Sequence, residues 1–387
     1  MPIAKRPDIV FTHGNGNWIT DSQGNEYLDF IQGWAVNTLG HSPKIISKAL
    51  CKQAKKLISA SPAFYNQPMI DCANTLTKHS IFDHVFLTNS GAEANEGAIK
   101  LARKWGEKYK SGAYEIITFE NSFHGRTLTT MSASGKEAFK ELFEPKTPGF
   151  TKVPFNNAQA VEVAINTKTV AIMLEPIQGE AGVIPATDEF MIALRKLADH
   201  HQLLLIFDEV QTGIGRTGDL FAYENYSNST QSNIHPDIMT LGKGLGGGVP
   251  IAALLAKSEV SVFEYGDQGG TYNGNPLMTA VADAILNEVT KPKFLKHVKK
   301  IENHLRQQLE DLSLKHSLGK VRGKGLLLAL DTKHHNANKI IENCQANYLL
   351  INAPRDNTLR FMPALNVSEL EVDKMIQILD HVLALDE

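Results

Sequence analysis

Cysteine is scarce in this chain: three residues in 387, Cys51, Cys72 and Cys344, odd in number and far apart. That spacing suits neither a disulfide framework nor a cysteine-built zinc site, and no metal is expected. Neither sign of charge dominates. Lys and Arg total 39 against 42 Asp and Glu, a formal net charge of −3. Such a balance leaves no electrostatic footprint for nucleic acid or an anionic membrane. Long apolar runs are missing too: the longest, Val249 to Ala256, is far short of the roughly 20 residues a membrane span needs. Met1 to Val10 carries Lys5, Arg6, Pro7 and Asp8 with no apolar stretch. No secretory signal is read there, and a cytoplasmic location is expected. What is present is ordinary for a folded protein, with 42% hydrophobic and 21% charged residues, so disorder is excluded. At roughly 150 residues per domain, the length suits two or three domains or one large α/β domain.

The pattern along the chain is more specific. Gly14-Asn15-Gly16-Asn17 and Asp21-Ser22-Gln23-Gly24-Asn25 read as tight turns between short strands. Ile46, Leu50, Ala54 and Leu57 follow Pro43 at helical spacing. From about residue 84, strand-like and helix-like segments alternate: Val85–Leu87, Ala92–Tyr109, Glu115–Phe119, Val170–Leu174, Phe190–Ala198 and Leu203–Phe207. Short continuous Val/Ile/Leu runs of this kind suit strands covered on both faces of a mostly parallel sheet. Beyond about residue 275, two long helices are expected near Leu277–Val289 and Phe294–Leu312, then strands at Leu326–Leu328 and Leu349–Ile351. The fold class is therefore α/β. A large domain over 54–275 is expected, with a smaller α/β domain built from both ends, 1–53 and 276–387. There is no internal repeat, and Ser227 to Asn233 reads as a polar surface loop.

Four places could carry chemistry, each after an expected strand, where ligands gather in α/β sheets. Thr88-Asn89-Ser90-Gly91-Ala92-Glu93 joins a strand to a helix; free N–H groups and the helix dipole there make an anion site. The plainer alternative is that Ser90 only caps its own helix. Asp208 and Glu209 end the apolar run Leu203–Phe207, where unpaired charge is costly. A buried Asp there needs a cation such as a protonated heterocycle nitrogen; the alternative is a solvated strand end. Gly213-Ile214-Gly215-Arg216-Thr217-Gly218 matches G-x-G-x-x-G, with Asp237 downstream, so a dinucleotide-dependent oxidoreductase has to be considered. The match starts five residues after the strand, whereas the fingerprint needs a tight strand-to-helix turn. It is read as accidental. Lys243 sits among glycines in Thr240–Pro250, but Gly244 stands where a triphosphate loop needs Ser or Thr. A lysine between apolar runs instead suits an amine of depressed pKa that forms a Schiff base with a carbonyl cofactor. The alternative is an ordinary solvent-facing lysine.

A phosphate cradle, an acid for a pyridine nitrogen and a Schiff-base lysine are together what pyridoxal phosphate requires. Six motifs then appear in order: Ser90–Glu96, Phe123-His124-Gly125-Arg126-Thr127, Glu175–Glu180, Asp208–Gln211, Gly242-Lys243 and Gly270–Pro276. On these the chain resembles the class III (subgroup II) aminotransferases of fold type I over about Phe11 to Leu379, most closely the members acting on N²-acetylornithine. The resemblance implies pyridoxal 5′-phosphate as cofactor, with Lys243 as its covalent anchor and proton shuttle and Asp208 facing the ring nitrogen. It assigns Gln211 to the phenolic oxygen and Phe123 to the ring face. Ser90, Gly91 and Ala92 fall at the phosphate, and His124 and Val210 beside the ring. It implies a homodimer in which Thr271 reaches the partner's cofactor. For substrates it implies Arg360 as clamp for the α-carboxylate of glutamate and 2-oxoglutarate, and Arg126 for the donor's carboxylate. Glu180 would be a gate that pairs with Arg360, and Gly270 and Trp34 further contacts. Ornithine-specific members carry Tyr at the position of Trp34; an indole offers only a donor, which favours a donor whose α-amine is acylated. The reaction implied is transfer of the δ-amine of N²-acetyl-L-ornithine to 2-oxoglutarate. Other ω-amine donors (succinylornithine, succinyldiaminopimelate, ornithine, 4-aminobutyrate) stand as alternatives.

Overall fold

The computed structural model describes every residue except 2, 5, 386 and 387, so Lys5 of the N-terminal reading lies outside the described residues. At its centre is a seven-stranded sheet. Its order is His84–Thr88, Ala252–Ala256, Ile238–Leu241, Leu204–Asp208, Thr169–Leu174, Glu115–Phe119 and Phe150–Val153. Strand Ala252–Ala256 runs antiparallel to both its neighbours, and the remaining pairings are parallel. Thr169–Leu174 and Leu204–Asp208 are buried along their whole length, because helices cover both faces of the sheet. This is the mostly parallel α/β sheet that the apolar runs indicate. The direction of Ala252–Ala256 was not legible from them.

The chain ends build a second body. An antiparallel sheet of Val321–Lys324, Leu327–Asp331, Thr358–Phe361 and Asn352–Arg355 stands beside a sheet of Phe11–Asn15, Trp18–Asp21, Glu26–Asp29 and Leu349–Leu350. In the latter, Leu28 pairs in parallel with Leu349. Helices Pro292–Lys315, Ala337–Ala346 and Glu369–Ala384 close over an apolar cluster that includes Leu28, Phe30, Leu305, Phe361 and Leu379.

Two sequence expectations differ from the structure. Helices Lys44–Ala54 and Pro276–Val289, placed by the reading on the small-domain side, bury Ile46, Val281, Ile285 and Val289 in the cluster that includes Leu174, Leu205 and Phe207. Helix Pro276–Val289 packs against both Lys44–Ala54 and helix Gln67–Lys78, and the shared apolar cluster ties these helices to the central sheet. Ser227 to Thr230, read as loop, instead end helix Ala222–Thr230. Polar residues of low helix propensity are overridden there by capping: Glu209 accepts the N–H groups of Ala222 and Tyr223 at 2.5 and 2.9 Å.

Candidate active site

A cavity of about 280 Å³ opens where strands Leu204–Asp208 and Ile238–Leu241 end beside the start of helix Gly91–Tyr109. Its walls bring together ten of the residues singled out in the sequence: Gly91, Ala92, Phe123, His124, Arg126, Glu180, Asp208, Val210, Gln211 and Lys243. Asn95, Gly125 and Glu175 complete the lining; they fall within the motifs read from the sequence, which gave them no role of their own.

The helix start is built by local chemistry. Ser90 Oγ accepts the Glu93 N–H at 3.2 Å while Glu93 returns a carboxylate to the Ser90 N–H at 3.1 Å. This capping box fixes the helix end. It uses the exposed Ser90 Oγ as an acceptor and leaves its O–H free to donate; Gly91 and Ala92 line the cavity, and Ser90 is not among its walls. A Cβ at Gly91 would stand 2.7 Å from Val210 Cγ1, so only glycine lets the helix end lie against the turn after Asp208.

Asp208 is buried and held by three donors. Its Oδ2 accepts from Asn95 Nδ2 and His124 Nδ1, each at 2.8 Å, and its Oδ1 accepts the Val210 N–H at 3.1 Å. Asn95 is fixed in turn by Thr240 Oγ1 at 2.7 Å and by the His124 carbonyl at 2.7 Å. A carboxylate accepts up to about four such bonds, so Asp208 retains capacity toward the cavity it lines.

Lys243 follows strand Ile238–Leu241 and lines the cavity. Burial pushes its ammonium below the ordinary lysine value, and Arg360 pushes the same way, while Glu180, Asp208 and Glu175 pull against them. The net direction is downward, toward easier loss of the ammonium proton. Glu175 accepts the Phe123 N–H at 2.8 Å. Burial and nearby Asp208 raise its carboxyl well above the usual range, outweighing Phe123 and Lys243.

Arg360 lies behind this cavity rather than in its lining, fully buried at 0% exposure. Its Nη1 donates to Glu180 Oε1 at 3.0 Å and to the Gly179 carbonyl at 2.9 Å, and its Nε to Asn352 Oδ1 at 3.2 Å. A Cβ at Gly179 would come within 1.7 Å of Gln211 Oε1, so any larger residue there would have to push the Gln211 amide aside. Trp34 is 54% exposed and stands outside the lining, 5.7 Å from the Arg360 guanidinium. It is held there by a left-handed turn in which Gln32, Trp34 and Ala35 have φ of 49°, 65° and 63°. Asp29 Oδ1 pins that turn through the N–H groups of Ile31 and Gln32 at 2.8 and 3.0 Å. Gly270 and Thr271 lie exposed outside the cavity of their own chain.

Three polar atoms around this centre are buried without a partner: His124 Nε2, Gln211 Nε2 and Arg360 Nη2. Unspent buried groups are costly, and they mark positions where a ligand completes the bonding. The donor set suits a phosphorylated pyridine aldehyde. Gln211 has an N–H for a ring oxygen, Asp208 an acceptor for a protonated ring nitrogen, Gly91 and Ala92 a helix start for a dianion, and Lys243 an amine for the carbonyl. The G-x-G-x-x-G run is different. Gly213 to Gly218 form a turn with no helix until Ala222, so the strand-to-helix geometry of a dinucleotide fingerprint is absent.

Comparison with known proteins agrees with this geometry. The family model for class-III aminotransferases matches residues 3–383. An acetylornithine aminotransferase of Ralstonia nicotianae is 57% identical over 99% of this chain and 96% of its own length. The crystal structure of N-acetylornithine aminotransferase from Stenotrophomonas maltophilia superposes with a TM-score of 0.85 at 36% identity, covering 98% of this chain and 96% of that one. That of the ornithine aminotransferase from Toxoplasma gondii gives 0.93 at 31% identity, covering 99% and 92%. The chain belongs to the class III aminotransferases, and it is a pyridoxal-phosphate-dependent transaminase of fold type I.

Proposed function

We propose that the protein moves the δ-amino group of N²-acetyl-L-ornithine to 2-oxoglutarate, giving N-acetyl-L-glutamate 5-semialdehyde and L-glutamate, in arginine biosynthesis. The observation that carries this reading is a pair of arginines in different states beside one lysine. Arg360 is buried and already paired with Glu180, whereas Arg126 is exposed on the cavity wall. A donor that reacts at its far amine leaves the masked arginine alone and presents its carboxylate to the open one. Glutamate and 2-oxoglutarate need Arg360 unmasked for the carboxylate beside the reacting carbon. The names of the curated relatives support the same substrate.

Bound pyridoxal phosphate supplies an aldehyde for amine exchange and a ring that spreads the negative charge left when a proton departs. The chain's own residues do the rest. Lys243, with its ammonium depressed by burial, takes and returns that proton at Nζ. Asp208, held by three donors, would keep a proton on the ring nitrogen. Gln211 Nε2 would donate to the ring oxygen, Phe123 and Val210 would enclose the ring with His124 beside it, and Gly91 and Ala92 would hold the phosphate. Glu180 would release Arg360 for the second substrate. Gly270 and Trp34 are retained as outer contacts, Trp34 acting through Arg360. The two substrates alternate, so ping-pong kinetics follow.

The same reading makes the protein a cytoplasmic homodimer in which Thr271 of one subunit meets the partner's cofactor phosphate. The exposed aromatics Phe64, Tyr65 and Tyr272 support a covered face. The test is a screen of single half-reactions by absorbance on purified holoenzyme, with N²-acetylornithine, N²-succinylornithine, ornithine and 4-aminobutyrate. Acetylornithine is expected to have the highest specificity constant; a preference for ornithine overturns the substrate. Borohydride should fix the cofactor on Lys243, and Lys243→Ala should lose at least about a thousandfold in turnover.

A further inference from the structure

Glu180 has two cationic partners, one on each oxygen. Arg360 Nη1 lies 3.0 Å from Oε1 and Lys136 Nζ lies 3.5 Å from Oε2. Lys136 is no freely waving surface chain. Its ammonium stands 5.9 Å from the ring centres of both Phe123 and Phe139, close enough for the ring faces to attract it. The backbone before it is tied down: the Gly135 N–H donates to the Ser122 carbonyl and hydroxyl at 3.1 and 3.0 Å, and Asn121 N–H to the Gly135 carbonyl at 2.9 Å. Position 136 is therefore anchored next to Phe123, whose ring lines the cavity.

Charge arithmetic shows what a second cation does there. With Arg360 on Glu180, the two charges are paired and a donor's remote carboxylate is handled elsewhere. When a substrate α-carboxylate takes Arg360, Glu180 must part from the guanidinium. With Lys136 present, the four charges resolve into two pairs: Arg360 with substrate, Lys136 with Glu180. Without it, two carboxylates compete for one buried guanidinium. Burial works to raise the Glu180 carboxyl, yet Arg360, Lys136 and Lys243 together hold it below the usual range in the paired arrangement.

We propose that Lys136 is a positioning residue for the alternation of substrates: it retains Glu180 when Arg360 lets go, and so sets how readily Arg360 is freed for an α-carboxylate. This rests on the reading of Glu180 and Arg360 as a switch. The experiment follows the two half-reactions separately, by stopped-flow absorbance on holoenzyme, with N²-acetylornithine and with L-glutamate. In Lys136→Gln the glutamate specificity constant should fall about two- to fivefold relative to that for acetylornithine, the scale of a partly exposed ion pair. Lys136→Arg should restore the ratio. In a Glu180→Ala background, Lys136→Gln should leave the ratio where Glu180→Ala alone puts it. An equal loss in both half-reactions, or a ratio that K136Q does not move although E180A does, overturns the role of Lys136. A ratio unmoved by E180A removes the switch itself, and the proposal with it.

Discussion

His124 Nδ1 and Asn95 Nδ2 converge on a single atom, Asp208 Oδ2, each at 2.8 Å. The carboxylate thus takes its orientation from a helix and from the loop that bears Phe123, as well as from its own strand. Asn95→Ala removes one of these bonds and also frees the His124 carbonyl. Each buried group left unpaired costs about 1–3 kcal/mol. We expect kcat to fall about tenfold to a hundredfold with the cofactor still bound, measured by steady-state kinetics beside the cofactor's absorbance. A lowered Tm with unchanged kcat would show Asn95 to be a structural support only.

The two arginines should separate the substrates kinetically. Arg360→Ala removes a buried guanidinium, and a charge-assisted bond is worth about 1.5–3 kcal/mol. The KM for 2-oxoglutarate should rise about tenfold to a hundredfold, with a smaller change for the donor. Arg126 is exposed, 5.5 Å from the Phe139 ring centre, so Arg126→Ala should raise the donor's KM by roughly three- to tenfold and that of 2-oxoglutarate less. Equal effects on both substrates from either variant would reject the division.

Arg216 joins the two bodies with no acidic partner in contact among the described residues. It is 2% exposed, and its Nη1 donates to the carbonyls of Leu326 and Pro363 at 3.0 and 2.6 Å. Those carbonyls flank the paired strands Leu327–Asp331 and Thr358–Phe361, in which Ala329 faces Arg360. Arg216→Ala strands both carbonyls and leaves a void, so unfolding free energy should drop by about 2–5 kcal/mol in denaturant titration. A loss below about 1 kcal/mol would mean that water replaces the guanidinium freely.

Glu209 gives stability a pH slope. Burial raises its carboxyl to about 8, against the Ala222 and Tyr223 N–H groups that lower it. The folded state therefore holds a proton that the unfolded chain has released above its ordinary value of 4.5. Glu209's contribution is full below that value and is lost as pH rises through about 8. Calorimetry from pH 5 to 8.5 should show Tm declining, and Glu209→Gln should flatten the decline. An unchanged slope in the variant would place the proton elsewhere.

The sequence made the reacting groups legible because they sit at strand ends where buried charge needs a reason, as Asp208 and Lys243 do. It was silent about residues whose meaning lies in a distant partner. Asn95 belongs to a helix pattern until Thr240 and Asp208 are folded against it. Glu175 looks like a strand end, and Lys136 like any loop lysine, until Phe123 and Glu180 meet them. Trp34 illustrates a different gap. Its residue type invited a substrate role, but only the left-handed turn shows that its indole faces the guanidinium of Arg360. The G-x-G-x-x-G run kept its letters and lost its meaning, since Arg216 turns inward as an interlobe anchor.

The parallel pairing of Leu28 with Leu349 has a consequence for biosynthesis. Those partners leave the ribosome roughly 320 residues apart, which at about 5–20 residues per second means an interval of some 16–64 s. Through that interval strands Phe11–Asn15, Trp18–Asp21 and Glu26–Asp29 can pair only with one another, so the nascent chain must shelter the outer edge of Glu26–Asp29, Leu28 included, until Leu349 has been translated.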